Sequence, residues 1–284
     1  MVTGAAPAPG ALARASLSRR PSAIGLARLS HRRVFPPGGV ELYRNIARLT
    51  ELGPEHDFLV VPVGTGVTAE FLARSTGASG AGVELDGELA EMAAAHVRSA
   101  GLSDRLQIEH APLEDLPYQD AVFDVVIGEI ALGALPDPAA AVRELVRVTR
   151  PMGTVILVQL IWTGNIEDAT REALVESLGI RPLLLVEWKR LLREAGAVDL
   201  YTEDWSDSAV SPRKPLGESA LVGLGPIRDR LGVLYRAWRR WGWRGMQQAM
   251  ASRSQAHALI ARERVLGLSL IRGTRWEHAD DPES

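Results

Sequence analysis

The stretch DFLVVPVGTGVTAEFLA, residues 57 to 73, constrains the fold of this chain more than any other. FLVVPV is an apolar run bounded by charged residues and glycines, and it reads as a buried strand. Gly64 and Gly66 supply a turn, and VTAEFLARS reads as a helix. The same strand and helix alternation then repeats. SGAGVEL is a second strand. DGELAEMAAAHVRSAG is a helix with Asp86 as its N-cap and Gly101 just past its end. LQIEH is a third strand and FDVVIGEI a fourth. DPAAAVRELVRVTR starts with an acid and a proline and ends in basic residues, as the helix dipole favours. GTVILVQLI is a fifth strand. Helices at DATREALVESLG and PLLLVEWKRLLREAG lead to AVDLYTEDW, a sixth strand, and VLGLSLIRGTRW closes the chain as a seventh. This pattern predicts an α/β fold, a mostly parallel sheet with helices on both faces.

The alternation sets the domain boundaries. Residues 34 to 284 read as one domain, with a helical insertion over about 206 to 264 between the last two strands. FPPGG (Phe35 to Gly39) is a turn that leads into the amphipathic helix VELYRNIARLTEL. Residues 1 to 33 hold six arginines and no acid, which predicts a disordered basic tail. A transit peptide has the same composition, and a misplaced start codon also fits. The chain has no cysteine, so disulfides, thiolate metal sites and cysteine nucleophiles are excluded. Its six histidines show no metal-ligand spacing, and no metal site is expected. No apolar run reaches the roughly 18 to 20 residues that span a bilayer, and no secretory apolar region follows Met1. The expectation is a cytoplasmic protein. The net charge of −3 implies no partner for the chain as a whole.

Gly64, Gly66 and Ala69 fit the G-x-G-x-x-G/A fingerprint of dinucleotide sites, and Glu84 follows Gly64 by 20 residues. A NAD-dependent oxidoreductase is one reading of that motif. Several further blocks point elsewhere. VGTG is followed by GVELD (Gly82 to Asp86), then LEDLPYQDAVFDVVI (Leu113 to Ile127). LPDPAAAVRELVRVTRPMGTVIL (Leu135 to Leu157) and LLREAGAVDL (Leu191 to Leu200) come later. In this order they resemble the blocks of the class I S-adenosylmethionine (SAM) methyltransferases, and within that family the ubiquinone and menaquinone C-methyltransferase group. The resemblance spans about residues 35 to 200. It implies a Rossmann-like sheet of seven strands, five parallel followed by an antiparallel edge pair. It implies SAM as cofactor, and a site formed by Val63, Gly64, Thr65, Gly66, Glu84, Leu113 and Glu114. The glycines let the backbone approach the cofactor, and the Glu84 carboxylate accepts from ribose hydroxyls.

Three positions depart from the family pattern. Val60 stands where the first strand usually carries an acid. Pro62 replaces the first glycine of the turn. Ala111 and Pro112 replace the usual Gly-Asp pair before the adenine, where Glu114 or Asp115 could substitute. A non-catalytic descendant that has lost SAM is therefore the alternative reading. For an enzyme, the acceptor is expected to be a small, apolar or lipid-soluble molecule. Glu129 after the fourth strand and His110 after the third are the candidate catalytic bases, and Tyr43 is a candidate lid or packing residue. The segment from Pro226 to Arg264 carries nine arginines against two acids, and Ile227, Leu231, Leu234, Tyr235 and Trp238 share a helical face. It reads as a cap packed at the sheet edge, a lid over the acceptor, or a contact to an anionic membrane surface. No nucleic-acid module is visible, and the oligomeric state is not legible.

Overall fold

The computed structural model describes residues 21–29, 35–164, 166–206, 227–258 and 265–276. In chain order these form α1 (Ala23–Arg28), α2 (Gly39–Leu49), β1 (Asp57–Val61), α3 (Val67–Thr76), β2 (Ser79–Glu84) and α4 (Gly87–Ser99). Next come β3 (Leu106–His110), β4 (Phe123–Gly128), a 3-10 turn (Ile130–Ala134), α5 (Pro138–Val148) and β5 (Thr149–Trp162). The remainder is α6 (Asp168–Leu178), β6 (Leu183–Leu184), α7 (Leu185–Glu194), β7 (Ala197–Asp204), α8 (Ile227–Ala258) and β8 (Leu266–Arg275).

The strands lie in the order β3-β2-β1-β4-β5-β8-β7, and β6 pairs with the end of β5. The pairs among β1 to β5 are parallel, whereas β8 runs antiparallel to both β5 and β7. The expected parallel core and antiparallel pair are present. The two-residue β6 is an eighth strand, too short to show as a period in the sequence. Because the sheet is covered on both sides, alternate residues of one strand enter different cores. Phe58 and Val60 of β1 pack with Tyr43, Leu72 and Leu174 on one face. Leu59 and Val61 pack with Val142, Leu145 and Trp188 on the other.

Two helix starts and one turn show why the chain breaks where it does. Asp86 caps α4 by accepting the Glu88 and Leu89 N–H groups, and Asp137 caps α5 through Ala140 N–H, each just before the helix it predicts. Met152, which stands at a glycine of the resemblance, takes φ +61°. That left-handed backbone favours glycine, and the methionine side chain projects into solvent.

Two expectations about the flanks are corrected. The basic tail is not wholly without structure: Ala23–Arg28 is helical. Leu26 and Leu29 are buried with Val233, Ala237, Met246 and Ala249 of α8, a partner surface that composition cannot reveal. Residues 1–20 and 30–34 lie outside the described residues. The insertion, expected at the sheet edge, instead packs α8 on α1 and α6. Arg240 of α8 reaches Asp86 at 3.0 Å and Glu88 at 3.2 Å, at the carboxyl end of β2. The shared apolar face expected for Leu231, Tyr235 and Trp238 does not form that packing. These three side chains are exposed, and Val233 and Ala237 are buried in their place. The side chain of Ile227 lies outside the described residues. The helix axis breaks at Gly242, where φ is 71° and ψ −178°.

Candidate functional site

Strand order reverses between β1 and β4, because β2 and β3 lie on one side of β1 and β4 and β5 on the other. The carboxyl ends at such a switch leave a crevice between diverging loops. The loop after β1 runs through Pro62, Val63, Gly64 and Thr65 to Gly66, which precedes α3. Val63 N–H donates to Val83 C=O at 2.8 Å, and Gly66 N–H to Val63 C=O at 3.0 Å, so the loop is tied to β2 and to itself. The Val63 side chain is seated over Gly82. A Cβ at Gly82 would stand 2.4 Å from Val63 Cγ2, which explains why β2 carries glycine there. Gly64 has φ +58°, and a Cβ placed on it meets nothing within 4 Å. The turn therefore presents open space above a backbone that a larger residue could adopt only with strain.

Glu84 is the acid of this crevice. It is fully buried at the end of β2. One carboxylate oxygen accepts Gly64 N–H at 3.0 Å and the other accepts Asp86 N–H at 3.1 Å. Asp86, whose Oδ1 caps α4, holds Arg240 with Oδ2, and links α8 to the same corner.

A second polar cluster sits across the switch. Tyr43 of α2 donates its phenol to Glu129 Oε1 at 2.9 Å, with both side chains buried. Thr68 of α3 also hydrogen-bonds the phenol. Glu129 N–H donates to Val61 C=O at 2.7 Å, and Gln159 of β5 donates to the Gly128 and Glu129 carbonyls at 3.1 and 3.0 Å. The backbone of Glu129 is thus fixed from β1 and β5, and its carboxylate is held from α2. Burial, followed by the charge and hydrogen bond of Glu129, holds the Tyr43 phenol well above its usual value near 10. The phenol stays protonated, and a donor, across the neutral range. Because the folded value is raised, the stability contributed by Tyr43 is complete below about pH 10. It is lost as pH rises from there through the folded value. The melting temperature is expected to fall more steeply above about pH 10 in the native chain than in Tyr43→Phe. Thermal melts from pH 8 to 11 check this, and equal slopes would refute it. Tyr118, raised by burial and by Glu109, contributes the same sign to both proteins.

The other candidates separate. His110 is exposed at the end of β3 and faces the Leu85 carbonyl at 3.2 Å. Three strand spacings lie between β3 and β4, about 14 Å, so His110 and Glu129 do not share one reacting centre. Leu113 is buried in the second core, Glu114 is half-buried and Asp115 exposed. Ala111 N–H donates to the Glu84 carbonyl at 3.2 Å, which holds this loop beside β2. Val60 is buried in the first core, and no carboxylate takes its place in β1 beyond Asp57 at the opposite end. A separate cleft of about 1190 Å³ between α5, α6 and α7 is lined by residues such as Leu135, Ile180 and Arg181. Gly64, Glu84 and Glu129 do not line it, so it is not this crevice.

Residues 59–157 match the family described as methyltransferase domain. That span is a methyltransferase domain. It runs from β1 to β5 and contains Gly64, Glu84 and Glu129. Among relatives of this methyltransferase domain, methyltransferase GfsG of Streptomyces halstedii is 28% identical over 211 residues, covering 72% of this chain and 74% of that protein. The 27-O-demethylrifamycin SV methyltransferase of Amycolatopsis mediterranei is 31% identical over 152 residues, 52% of this chain and 56% of that one. In fold, the methyltransferase domain is similar to the [4+2]-cyclase SpnF. The TM-score is 0.66 and the identity 21%, over 83% of this chain and 80% of that one.

Tyr43, a lid or packing candidate from the sequence, is instead the buried hydrogen-bond partner of Glu129. Its signal was a single aromatic residue on a buried helix face, which packing alone explains equally well.

Proposed function

We propose that the chain is a methyltransferase that moves a methyl group from SAM to a small, apolar or lipid-soluble acceptor. The observation that carries this reading is the corner where the left-handed Gly64 turn donates its N–H to the buried Glu84 carboxylate. In this reading Glu84 holds the ribose hydroxyls, and Val63 to Gly66 form the backbone wall beside them. Leu113 and Glu114 face the base from the loop after β3. The donor set fits the group, because an open glycine turn and the carboxylate that accepts its N–H meet at one strand end. Bound SAM supplies a methyl group on a positively charged sulfur, already activated for transfer. What the protein must add is alignment and exclusion of water.

Glu129 is assigned as the base that takes a proton from an acceptor nucleophile, and Tyr43 as the residue that positions it. His110 is left on the cofactor side. The rifamycin relative is named for methylation at an oxygen, which suits a hydroxyl acceptor that must lose a proton. Calorimetric titration with SAM and with S-adenosylhomocysteine tests the proposal. Binding of both at micromolar to sub-millimolar concentration is expected. The absence of binding by either would instead favour a methyltransferase fold that works without SAM, as the substitutions at Val60, Pro62 and Pro112 allow.

A further inference from the structure

An amphipathic helix that packs on a protein body buries its apolar stripe and shows a polar face to water. Helix α8 does not follow that rule. Its buried stripe, Val233, Ala237, Met246 and Ala249, is packed against α1. Yet Leu231, Tyr235, Trp238 and Trp243 are 62, 57, 50 and 62% exposed. At about 100° per residue Leu231, Tyr235 and Trp238 fall within one narrow sector. Tyr235 and Trp238 pair their rings at 6.0 Å. The helix therefore carries a second apolar stripe that the described residues leave uncovered, and grouped exposed apolar side chains mark an interaction surface.

Charge selects the partner. From Leu231 to Ala251 the helix has Arg236, Arg239, Arg240 and Arg244 and no acid. Arg236 donates to the Leu29 carbonyl, and Arg240 is held by Asp86 and Glu88 on the body side. Arg239 and Arg244 are exposed and follow Trp238 and Trp243 directly in the sequence. Tryptophan and tyrosine next to arginine suit the headgroup layer of a bilayer, where rings sink in and guanidinium groups meet phosphates. A second copy docked by two-fold symmetry would set these arginines against themselves.

We propose that the exposed apolar side chains of α8, Leu231, Tyr235 and Trp238 before the break at Gly242 and Trp243 after it, together with Arg239 and Arg244, dock the protein on anionic membrane surfaces. Arg240 lies about half a turn of the helix wheel from Leu231. The bilayer would therefore meet α8 on the side away from the Asp86 corner.

Cosedimentation of the full chain tests this. Vesicles of equal parts phosphatidylglycerol and phosphatidylcholine should pellet the protein at about 50 mM salt. Pure phosphatidylcholine, or salt of about 500 mM, should lower the bound fraction by about fivefold or more. The triple variant Leu231→Ser, Trp238→Ser, Trp243→Ser should lose a similar share. So should Arg239→Glu with Arg244→Glu, which leaves the apolar face intact. Circular dichroism should show both variants folded, since all five side chains are exposed. The proposal is overturned by failure to pellet at low salt, or by unchanged pelleting of both variants. It is also overturned if the protein alone forms a dimer at sedimentation equilibrium that the triple variant dissolves.

Discussion

Replacing Glu84 by alanine is expected to weaken SAM binding on the order of 10²-fold, with the fold retained. Two charge-assisted hydrogen bonds from ribose hydroxyls, each of roughly 1.5 kcal/mol or more, account for that factor. The substitution also removes the acceptor of Gly64 N–H and Asp86 N–H. It therefore loosens the glycine turn and the start of α4 at once, and the loss should exceed that from deleting a ligand contact alone. Glu84→Gln separates the two effects. The amide keeps one acceptor oxygen but turns an NH2 toward one of the two backbone donors, so a loss of roughly tenfold is expected. Calorimetry with SAM measures both values. An unchanged affinity in Glu84→Ala, with a native circular dichroism spectrum, would remove Glu84 from the site and leave it as the pin of a structural turn.

Glu84 also shows what a sequence can and cannot disclose. Its place at the end of β2 follows from an apolar run, a period of two and a cap two residues later, all local signals. The same kind of signal located β1 to β5, α4 and α5. The spacing of 20 residues between Gly64 and Glu84 is legible as a motif, whereas the hydrogen bond that joins them is visible only in the structure. The Tyr43 to Glu129 bond spans 86 residues and joins a helix to the far side of the switch, where no spacing rule applies. Helix α1 was hidden for a related reason. Its surroundings are rich in arginine and proline, and Leu26 and Leu29 have an apolar partner only because α8 returns from about two hundred residues later. Arg236 on that helix donates to Leu29 C=O across 207 positions. On α8 itself periodicity identified an apolar stripe at Leu231, Tyr235 and Trp238. It could not say that Val233 and Ala237, the smaller residues, would be the ones to face the body. A helix with two apolar stripes has no unique inward side until its neighbour is known.

The remaining large effect concerns the base. Glu129→Gln is expected to lower kcat for methyl transfer by about 10² to 10⁴, the usual contribution of a positioned base. Its SAM affinity should stay within about threefold, because the proposed cofactor site is built on Glu84 and not on Glu129. Glutamine keeps the shape and can still accept from Tyr43, so packing of α2 should survive. Tyr43→Phe should act differently. It removes a hydrogen bond to the charged form of Glu129, and the carboxylate then needs a higher pH to release its proton. Tyr43 itself titrates far above neutrality, as burial and the neighbouring carboxylate require, so its own ionisation does not enter the profile near pH 7. The rising limb of the rate against pH should therefore move to higher pH in Tyr43→Phe, with the plateau rate largely recovered there. A merely structural tyrosine would lower the rate equally at every pH. The measurement is S-adenosylhomocysteine release across pH 5 to 9, with an acceptor selected from a panel of apolar hydroxyl compounds. If Glu129→Gln keeps the native limb and rate, the proton leaves by another route. The buried pair would then serve to lock α2 against the end of β4.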